Sequence, residues 1–215
     1  MPRVESKRPK TRRTQGVLGG RSQRVVQQVL AAAVLELGES GYRAFRMDEV
    51  SGQARVNKTT IYRRWPTKAE LVAASVDWMR RLVHDVPLPD TGTLEQDLVE
   101  AFRRRGGFKH SAEGRAWGRL LAEQHDPEVR AIIGPAVEER SASWRELVTR
   151  AVARGQLPKG TAPALLLGML KAVVDAWTPS PPRPLNRALL ETAVRTIVAG
   201  ARTGSLVSGN ARARR

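Results

Sequence analysis

The spacing of the apolar residues is the feature that most limits how this chain can fold, because intervals of three and four recur along almost its whole length. Between residues 21 and 37 this spacing predicts an amphipathic helix, and Gly38 and Gly41 are expected to end it. No segment alternates with the period of two that is typical of a strand, and no internal repeat is found. We therefore expect an all-α fold.

Further helices are predicted along the rest of the chain from their start and stop signals. They span residues 67–82, 93–105, 111–124, 126–155, 163–177 and 186–201. Thr67 and Glu70 form a capping box at the start of the first of these, and Asp126 is a favourable N-cap. The Gly106-Gly107 pair is expected to end the helix that covers residues 93–105.

Two short helices separated by a three-residue turn are predicted between residues 46 and 65. Asn57 is placed to cap the second helix, and Pro66 ends it. Ile61 and Trp65 face the core in this register, so the outward face carries mostly hydrogen-bond donors. Two such helices behind a supporting helix are the parts of a DNA-binding helix-turn-helix, although the charge pattern alone also fits an ordinary solvated helix face.

The charge balance favours a polyanionic partner. The chain has 37 Lys plus Arg against 21 Asp plus Glu, a formal net charge of +16. Of these cations 30 are Arg, a skew that coding bias would also produce. Residues 1–20 are predicted to be a disordered basic arm that follows phosphates or a minor groove, or that serves only as a solubilising tail. Residues 204–215 are predicted to be a disordered tail.

Several classes of protein and site are not expected. Without cysteine there is no disulfide framework, no Cys-based zinc site and no thiol nucleophile. The longest apolar run is too short to cross a bilayer and no secretory signal is present, so we expect a cytoplasmic protein with no membrane partner. His84, His110 and His125 lack the spacing of metal ligands, and there is no phosphate-binding loop or nucleophile elbow. We expect no metal, no cofactor and no enzymatic activity.

Two motifs carry a resemblance to a known family. They are GYRAFRMDEV at residues 41–50 and ARVNKTTIYRRWPTKAEL at residues 54–71. Over about 50 residues in register the chain resembles the tetracycline-repressor (TetR/AcrR) family of transcriptional regulators. It departs from the family at Arg46, Ser51 and Arg55, where Thr or Ser, Ala and Gly are usual. A left-handed turn conformation costs more for Arg55 than for glycine.

The resemblance implies roles for the outward residues of this segment. Lys58, Thr59 and Arg63 lie where base edges are met, and Thr60 and Tyr62 where phosphates are met. Lys68 is expected to meet the DNA backbone from the start of the next helix. Arg46 either reaches a phosphate or is neutralised by the nearby Asp48 and Glu49. The residues predicted to contact DNA are Arg46, Asn57, Lys58, Thr59, Thr60, Tyr62, Arg63, Arg64 and Lys68.

The resemblance divides the chain into a helix-turn-helix DNA-binding domain at residues 21–67 and a helical effector-binding and dimerisation domain at residues 68–203. Its last two helices are expected to pack against a partner, or else to be buried within one subunit. The predicted effector-binding residues are Phe102, Phe108, Trp117, Trp144 and Met169, which plain core packing would also explain. The predicted dimer-interface residues are Leu166, Leu170, Val173, Trp177, Leu190 and Val194.

The function implied is that of a homodimeric repressor. It would bind a pseudo-palindromic operator in double-stranded DNA and leave it when an unknown small-molecule effector binds. A non-specific basic nucleic-acid-binding protein and a helical enzyme are the alternatives. The first would bind DNA in a salt-dependent way without sequence preference, and the second would turn over a small molecule.

Overall fold

The structure, a computed structural model, describes residues 18–84, 86–176 and 186–207. Within these ranges the backbone forms nine α-helices and no β-strand beyond one isolated bridge, which confirms the all-α class. The helices are α1 (Leu18–Ala44), α2 (Met47–Ala54), α3 (Lys58–Arg64), α4 (Lys68–His84), α5 (Leu94–Lys109), α6 (Ala112–Ala122), α7 (Pro127–Ala153), α8 (Pro163–Ala176) and α9 (Arg187–Arg202).

Helix α1 is longer than predicted at its carboxyl end. Gly38 lies inside the helix, so the prediction that it ends α1 is wrong. Gly41 is where the regular helix breaks, with φ 74° and ψ −179°, a backbone conformation that side chains other than hydrogen rarely allow. The chain turns there, and Tyr42 and Phe45 are both buried beyond the break.

The turn between α2 and α3 is left-handed at Arg55 although the residue there is not glycine. Arg55 adopts φ 52° and ψ 41°, and it has the positive φ that the family's usual glycine adopts without steric cost. Its backbone N–H donates to the Gly52 carbonyl oxygen at 3.1 Å. Asn57 then caps α3, because its side chain accepts a hydrogen bond from the Thr59 backbone N–H at 2.9 Å. Both helices are therefore held by local interactions at the turn.

Local caps also set the starts of the later helices. The Thr67 hydroxyl accepts from the Glu70 N–H at 3.2 Å and the Glu70 carboxylate accepts from the Thr67 N–H at 3.3 Å, which confirms the capping box. Helix α5, in contrast, runs through Gly106 and Gly107 to Lys109, so the predicted end at the glycine pair is wrong. An internal glycine costs a helix only about 1 kcal/mol relative to alanine, which tertiary packing readily offsets.

The hydrophobic core has two parts. The first contains buried residues of α1 to α4 together with residues of α6 and the first half of α7, such as Leu120 and Ile133. The second is built by α5, the second half of α7, α8 and α9. The first core therefore continues across the boundary predicted after residue 67.

A part of each end that was predicted to be disordered is ordered in the structure. Residues 18–20 belong to α1, and residues 204–207 form a turn whose Leu206 carbonyl oxygen accepts from the Ala162 N–H at 2.9 Å. The rest of the predicted arm and tail, residues 1–17 and 208–215, lies outside the described residues. No helix in the described part of the chain is both long and apolar enough to span a membrane.

Candidate nucleic-acid interface and cavity

Helix α3 is held by its inner face and exposed on its outer face. Ile61 and Trp65 lie in the first core, as the spacing predicted. Tyr62 has 44 % of its surface exposed, a large fraction for an aromatic side chain. The other outward residues of α3 are Lys58, Thr59, Arg63 and Arg64, which are exposed, and Thr60, which is half-buried. No other described part of the chain covers this face, so a groove of DNA has room to receive it.

Two of the predicted contact residues also hold the turn together. The Asn57 side-chain oxygen accepts from the Thr59 backbone N–H and from the Thr59 hydroxyl at 2.8 Å. The Lys58 ammonium lies 2.8 Å from the Asp48 carboxylate, and both side chains are exposed. An exposed ion pair of this kind contributes about 0–1 kcal/mol, so Lys58 can exchange Asp48 for another anion at little cost.

Arg46 precedes α2 and is exposed. It makes no side-chain capping hydrogen bond, and Asp48, which was a candidate to neutralise it, pairs with Lys58 instead. From Arg46 to Arg64 the sequence has five cationic residues and two carboxylates. The outer surface of α2, the turn and α3 is consequently positive, as contact with phosphates requires.

Lys68 is placed differently from the prediction. It is half-buried, its ammonium donates to the Tyr42 carbonyl oxygen at 3.2 Å, and it lies 4.1 Å from the centre of the Tyr42 ring. The ammonium therefore satisfies the carboxyl-terminal end of α1 and stacks on a ring face, rather than extending toward a phosphate. In this structure Lys68 joins α4 to α1.

A junction around Tyr42 connects the carboxyl-terminal end of α1 to α6 and α7, and the sequence spacing did not indicate it. The Glu123 carboxylate accepts from the backbone N–H groups of Tyr42, at 3.0 Å, and Arg43, at 2.8 Å. The Tyr42 hydroxyl donates to Glu128 at 2.5 Å. Burial, followed by the hydrogen bond and negative charge of Glu128, raises the pKa of Tyr42 well above its ordinary value. About 80 residues separate these partners, so no local pattern reveals the pairing.

A cavity of about 530 Å³ lies between α4, α5, α6, α7 and residues 86–89. Phe108, Trp117 and Trp144, three of the predicted effector-binding residues, line it. Phe102 does not, because it is fully buried and packs edge-on against Trp144 with ring centres 4.8 Å apart. Met169 lies on the exposed face of α8, outside the cavity lining. Phe102 and Met169 are therefore the two predicted effector-binding residues that lie outside the lining of this cavity.

Four arginines also line the cavity and were not among the predicted site residues. They are Arg80, Arg104, Arg105 and Arg140. Arg140 lies four residues after Ala136 and four before Trp144, so it shares the inward face of α7 with them. A cationic residue among the apolar residues of an inward-facing stripe is the sequence signal that could have identified Arg140.

The predicted dimer interface needs a larger correction. Leu166, Leu170, Leu190 and Val194 are buried in the second core of a single chain, so they cannot line a contact with another copy. Val173 is exposed as predicted, and Trp177 lies outside the described residues. The large apolar residues of α8 that are exposed are Leu165, Met169 and Val173, which follow one another at intervals of four.

Known proteins share both halves of this arrangement. Residues 29–75 match the family model described as bacterial regulatory proteins, tetR family, and residues 88–197 match the tetracyclin repressor-like C-terminal domain. An uncharacterised HTH-type transcriptional regulator of Mycobacterium bovis is 31 % identical over 176 residues, which cover 80 % of this chain and 84 % of the relative. A DNA-binding transcriptional repressor TetR of Mycobacteroides abscessus is 44 % identical over 75 residues, 33 % of this chain and 37 % of that protein.

Among solved structures, the transcriptional regulator FadR from Bacillus subtilis in complex with stearoyl-CoA superposes with a TM-score of 0.62 at 20 % identity, covering 81 % of this chain and 98 % of FadR. At this identity the likeness shows the fold alone. The two family matches, the homologous regulators and the exposed helix α3 together identify the chain as a DNA-binding transcriptional regulator that belongs to the TetR family.

Proposed function

We propose that two copies of this protein bind one pseudo-palindromic operator and that a small molecule in the cavity releases them. The single observation that carries the DNA-binding part is helix α3, whose inner residues Ile61 and Trp65 are buried while Tyr62 and its cationic neighbours are exposed. In a two-fold dimer the two α3 helices would enter successive major grooves about 34–36 Å apart. In this proposal the protein acts in the cytoplasm by binding DNA and the small molecule, and it catalyses no reaction.

The exposed residues divide into two proposed roles. Lys58, Thr59 and Arg63 are assigned to base edges, because they occupy the outer side of a short helix that fits the major groove. Tyr62, Thr60, Arg64 and Arg46 are assigned to phosphates, which any sequence offers. The ion pair between Lys58 and Asp48 is compatible with this assignment because it is exposed and weak. Asn57 acts through its cap of α3, and Lys68 through its contacts with Tyr42.

The dimer is proposed to form through α8. Leu165, Met169 and Val173 are 49 %, 42 % and 41 % exposed and make one apolar stripe along the helix. Isolated exposed apolar residues are common, but a continuous stripe on one helix is typical of a surface that a partner covers. A second copy is the proposed partner, because regulators of this family usually act as dimers and a palindromic operator requires two-fold symmetry.

The effector site is proposed to be the cavity lined by Phe108, Trp117 and Trp144. Its volume of about 530 Å³ suits a small organic ligand. Regulators of this family are typically ligand-responsive, and FadR, which has the same fold, was solved with stearoyl-CoA. A ligand that prefers a conformation with a different separation of the α3 helices would weaken operator binding by its difference in affinity for the two states.

The DNA-binding proposal is tested first by sequencing genomic fragments that the purified protein retains, where an inverted repeat is expected. On that repeat, Arg63→Ala should lower affinity by about 5- to 150-fold and relax base preference at one position of each half-site. Tyr62→Ala should weaken binding to all sequences alike and leave the preference unchanged. Fluorescence anisotropy with the operator and with scrambled DNA measures both effects.

Arg195→Ala is the matched control, because Arg195 is an exposed arginine on α9 and far along the chain from α3. It should bind the operator like the unmodified protein. If Arg63→Ala kept both the affinity and the base preference, the role of α3 would be contradicted. Salt-dependent binding without any preferred sequence would indicate a non-specific nucleic-acid-binding protein instead.

A further inference from the structure

The cavity wall carries more positive charge than its own carboxylates neutralise. Arg80 pairs with Glu139 at 2.9 Å, Arg104 with Glu100 at 2.7 Å and Arg105 with Asp175 at 3.1 Å. Each of these three arginines therefore has a carboxylate in contact. Arg140, the fourth arginine of the lining, has none among the residues that the structure describes.

In the part of the chain that the structure describes, the Arg140 side chain lies against two aromatic faces. Its guanidinium lies 5.4 Å from the centre of the Phe108 ring and 5.9 Å from the centre of the Trp117 ring. Within residues 18–84, 86–176 and 186–207 no hydrogen bond to this guanidinium is found, so its five N–H donors have no protein acceptor there. The rings fix the position of the charge without using its donors.

The charge of Arg140 persists at neutral pH. Burial, with a smaller effect from the neighbouring charge of Arg105, lowers the pKa of Arg140 to about 10. A group with that pKa remains protonated at pH 7, but its burial makes the charged form less stable than it would be in water. An anion that entered the cavity would remove this destabilisation, whereas a cation would add to it and a neutral molecule would leave it unchanged.

We propose that the cavity binds an amphiphilic organic anion, an aromatic or aliphatic body that carries a carboxylate or sulfonate, and that Arg140 binds its charged group. Phe108, Trp117 and Trp144 supply the apolar surface for the body, and the free edge of the guanidinium supplies two parallel N–H donors for the anion. This inference rests on the proposed function, since it names the chemical class of the effector that the same cavity takes.

Two fluorescent probes that differ only in charge test the inference. 8-Anilinonaphthalene-1-sulfonate is an aromatic anion, and N-phenyl-1-naphthylamine has the same rings without the sulfonate. We expect Arg140→Met to weaken binding of the sulfonate by about tenfold or more and to leave the neutral probe within about twofold. Arg140→Lys should recover part of the loss because it restores the charge. Two tryptophans line the cavity, so probe fluorescence excited by energy transfer from tryptophan reports only bound probe.

Arg145→Met is the matched control. Arg145 is on the same helix, is paired with Glu138 at 2.6 Å and does not line the cavity, so its loss should change neither affinity. The control matters because a protein with a net charge of +16 also attracts a sulfonate to its surface. Equal losses in Arg145→Met and Arg140→Met would overturn the assignment to Arg140.

A measurement on the unmodified protein keeps the inference testable if Arg140→Met does not fold. Decanoate should displace the bound neutral probe at a concentration at least about tenfold below that of decanol, which has the same chain length and no charge. Equal potency of the two would overturn the inference and leave a neutral-ligand cavity in place. If neither fluorescent probe bound, the inference and the effector part of the proposed function would both fail, while operator binding is judged separately by anisotropy.

Discussion

Tyr42 shows how a single residue connects the DNA-binding segment to the rest of the protein. Its hydroxyl donates to Glu128 at the start of α7, its backbone N–H donates to Glu123 after α6, and its carbonyl oxygen accepts from Lys68 of α4. Three helices therefore meet at one residue beyond the break in α1. These contacts connect α4, α6 and α7 to the end of α1.

We expect Tyr42→Phe to lower the free energy of unfolding by about 1–2 kcal/mol at pH 7, because the hydrogen bond to Glu128 is lost. The pKa of Tyr42 is raised in the folded protein, so the unfolded chain loses this proton first as the pH rises. The stabilisation by Tyr42 is therefore complete below the unfolded pKa of about 10 and declines above it.

Urea denaturation of the unmodified protein and of Tyr42→Phe at several pH values between 7 and 11 measures this difference. The difference should be constant up to about pH 10 and then shrink. Growth of the difference above pH 10 would mean that the ionised form is the one stabilised in the folded protein.

At the scale of the element, the carboxyl-terminal part of helix α1 contains two glycines with opposite requirements. Gly41 has φ 74° and ψ −179°, and a side-chain carbon there would overlap the Glu123 carboxylate. Gly38 has ordinary helical geometry, and the nearest atoms to an added carbon, in Arg115 and Ala116, lie 3.5 Å away, an ordinary contact distance. Only Gly41 is required by the backbone.

Gly41→Ala should destabilise the protein by about 2–3 kcal/mol, because the backbone conformation is strained for alanine and Glu123 must move. Gly38→Ala, the matched control in the same helix, should be neutral or stabilising by about 0.5–1 kcal/mol, because alanine restricts the unfolded chain more than glycine. Thermal and urea denaturation followed by circular dichroism measures both. Equal effects of the two substitutions would contradict the assigned role of Gly41.

At the scale of the whole molecule, the two parts of the core hold helices from opposite ends of the chain. The first core holds α3 and extends into α6 and α7, and the second holds α8 and α9. Helix α7 contributes to both, with Ile133 in the first and Leu147 in the second. The cavity lies beside α7 between them, so a ligand there contacts the element that the two cores share.

The proposed dimer gives a prediction at this scale. Met169→Glu places a charge in the exposed stripe of α8, where burial against a second copy would cost several kcal/mol. We expect a monomer in size-exclusion chromatography with light scattering, and an operator affinity lower by about a hundredfold because the two half-sites are no longer bound together. Circular dichroism should show an unchanged helical fold.

Leu35→Glu is the control for the dimer prediction. Leu35 is 43 % exposed on α1, close to the 42 % of Met169, but it lies outside α8. This variant should remain dimeric and should bind the operator normally. A dimeric Met169→Glu would exclude α8 as the interface and would direct attention to other exposed apolar residues.

Much of the fold and of the DNA-binding surface was predictable from local pattern. Asn57, Thr67 and Glu70 form the caps that their types and spacing indicate, and Ile61 and Trp65 lie inside as their spacing of four requires. The ends of α1 and α5 were less predictable. Gly38, Gly106 and Gly107 remain helical, since the packing of each helix compensates for the small cost of a glycine.

The sequence by itself determined that the chain is helical, where most helices begin, and that α3 has a cationic outer face, because these properties depend on residues within one or two turns of each other. Only the tertiary structure decided that Leu166 and Leu190 are core while Met169 is exposed, and that Lys68 contacts Tyr42. It also decided that three cavity arginines pair with carboxylates whereas Arg140 contacts no carboxylate of the described residues. These outcomes depend on which helix faces approach each other. The partners of each side chain are then chosen among residues far apart in the sequence, and local spacing does not specify that choice.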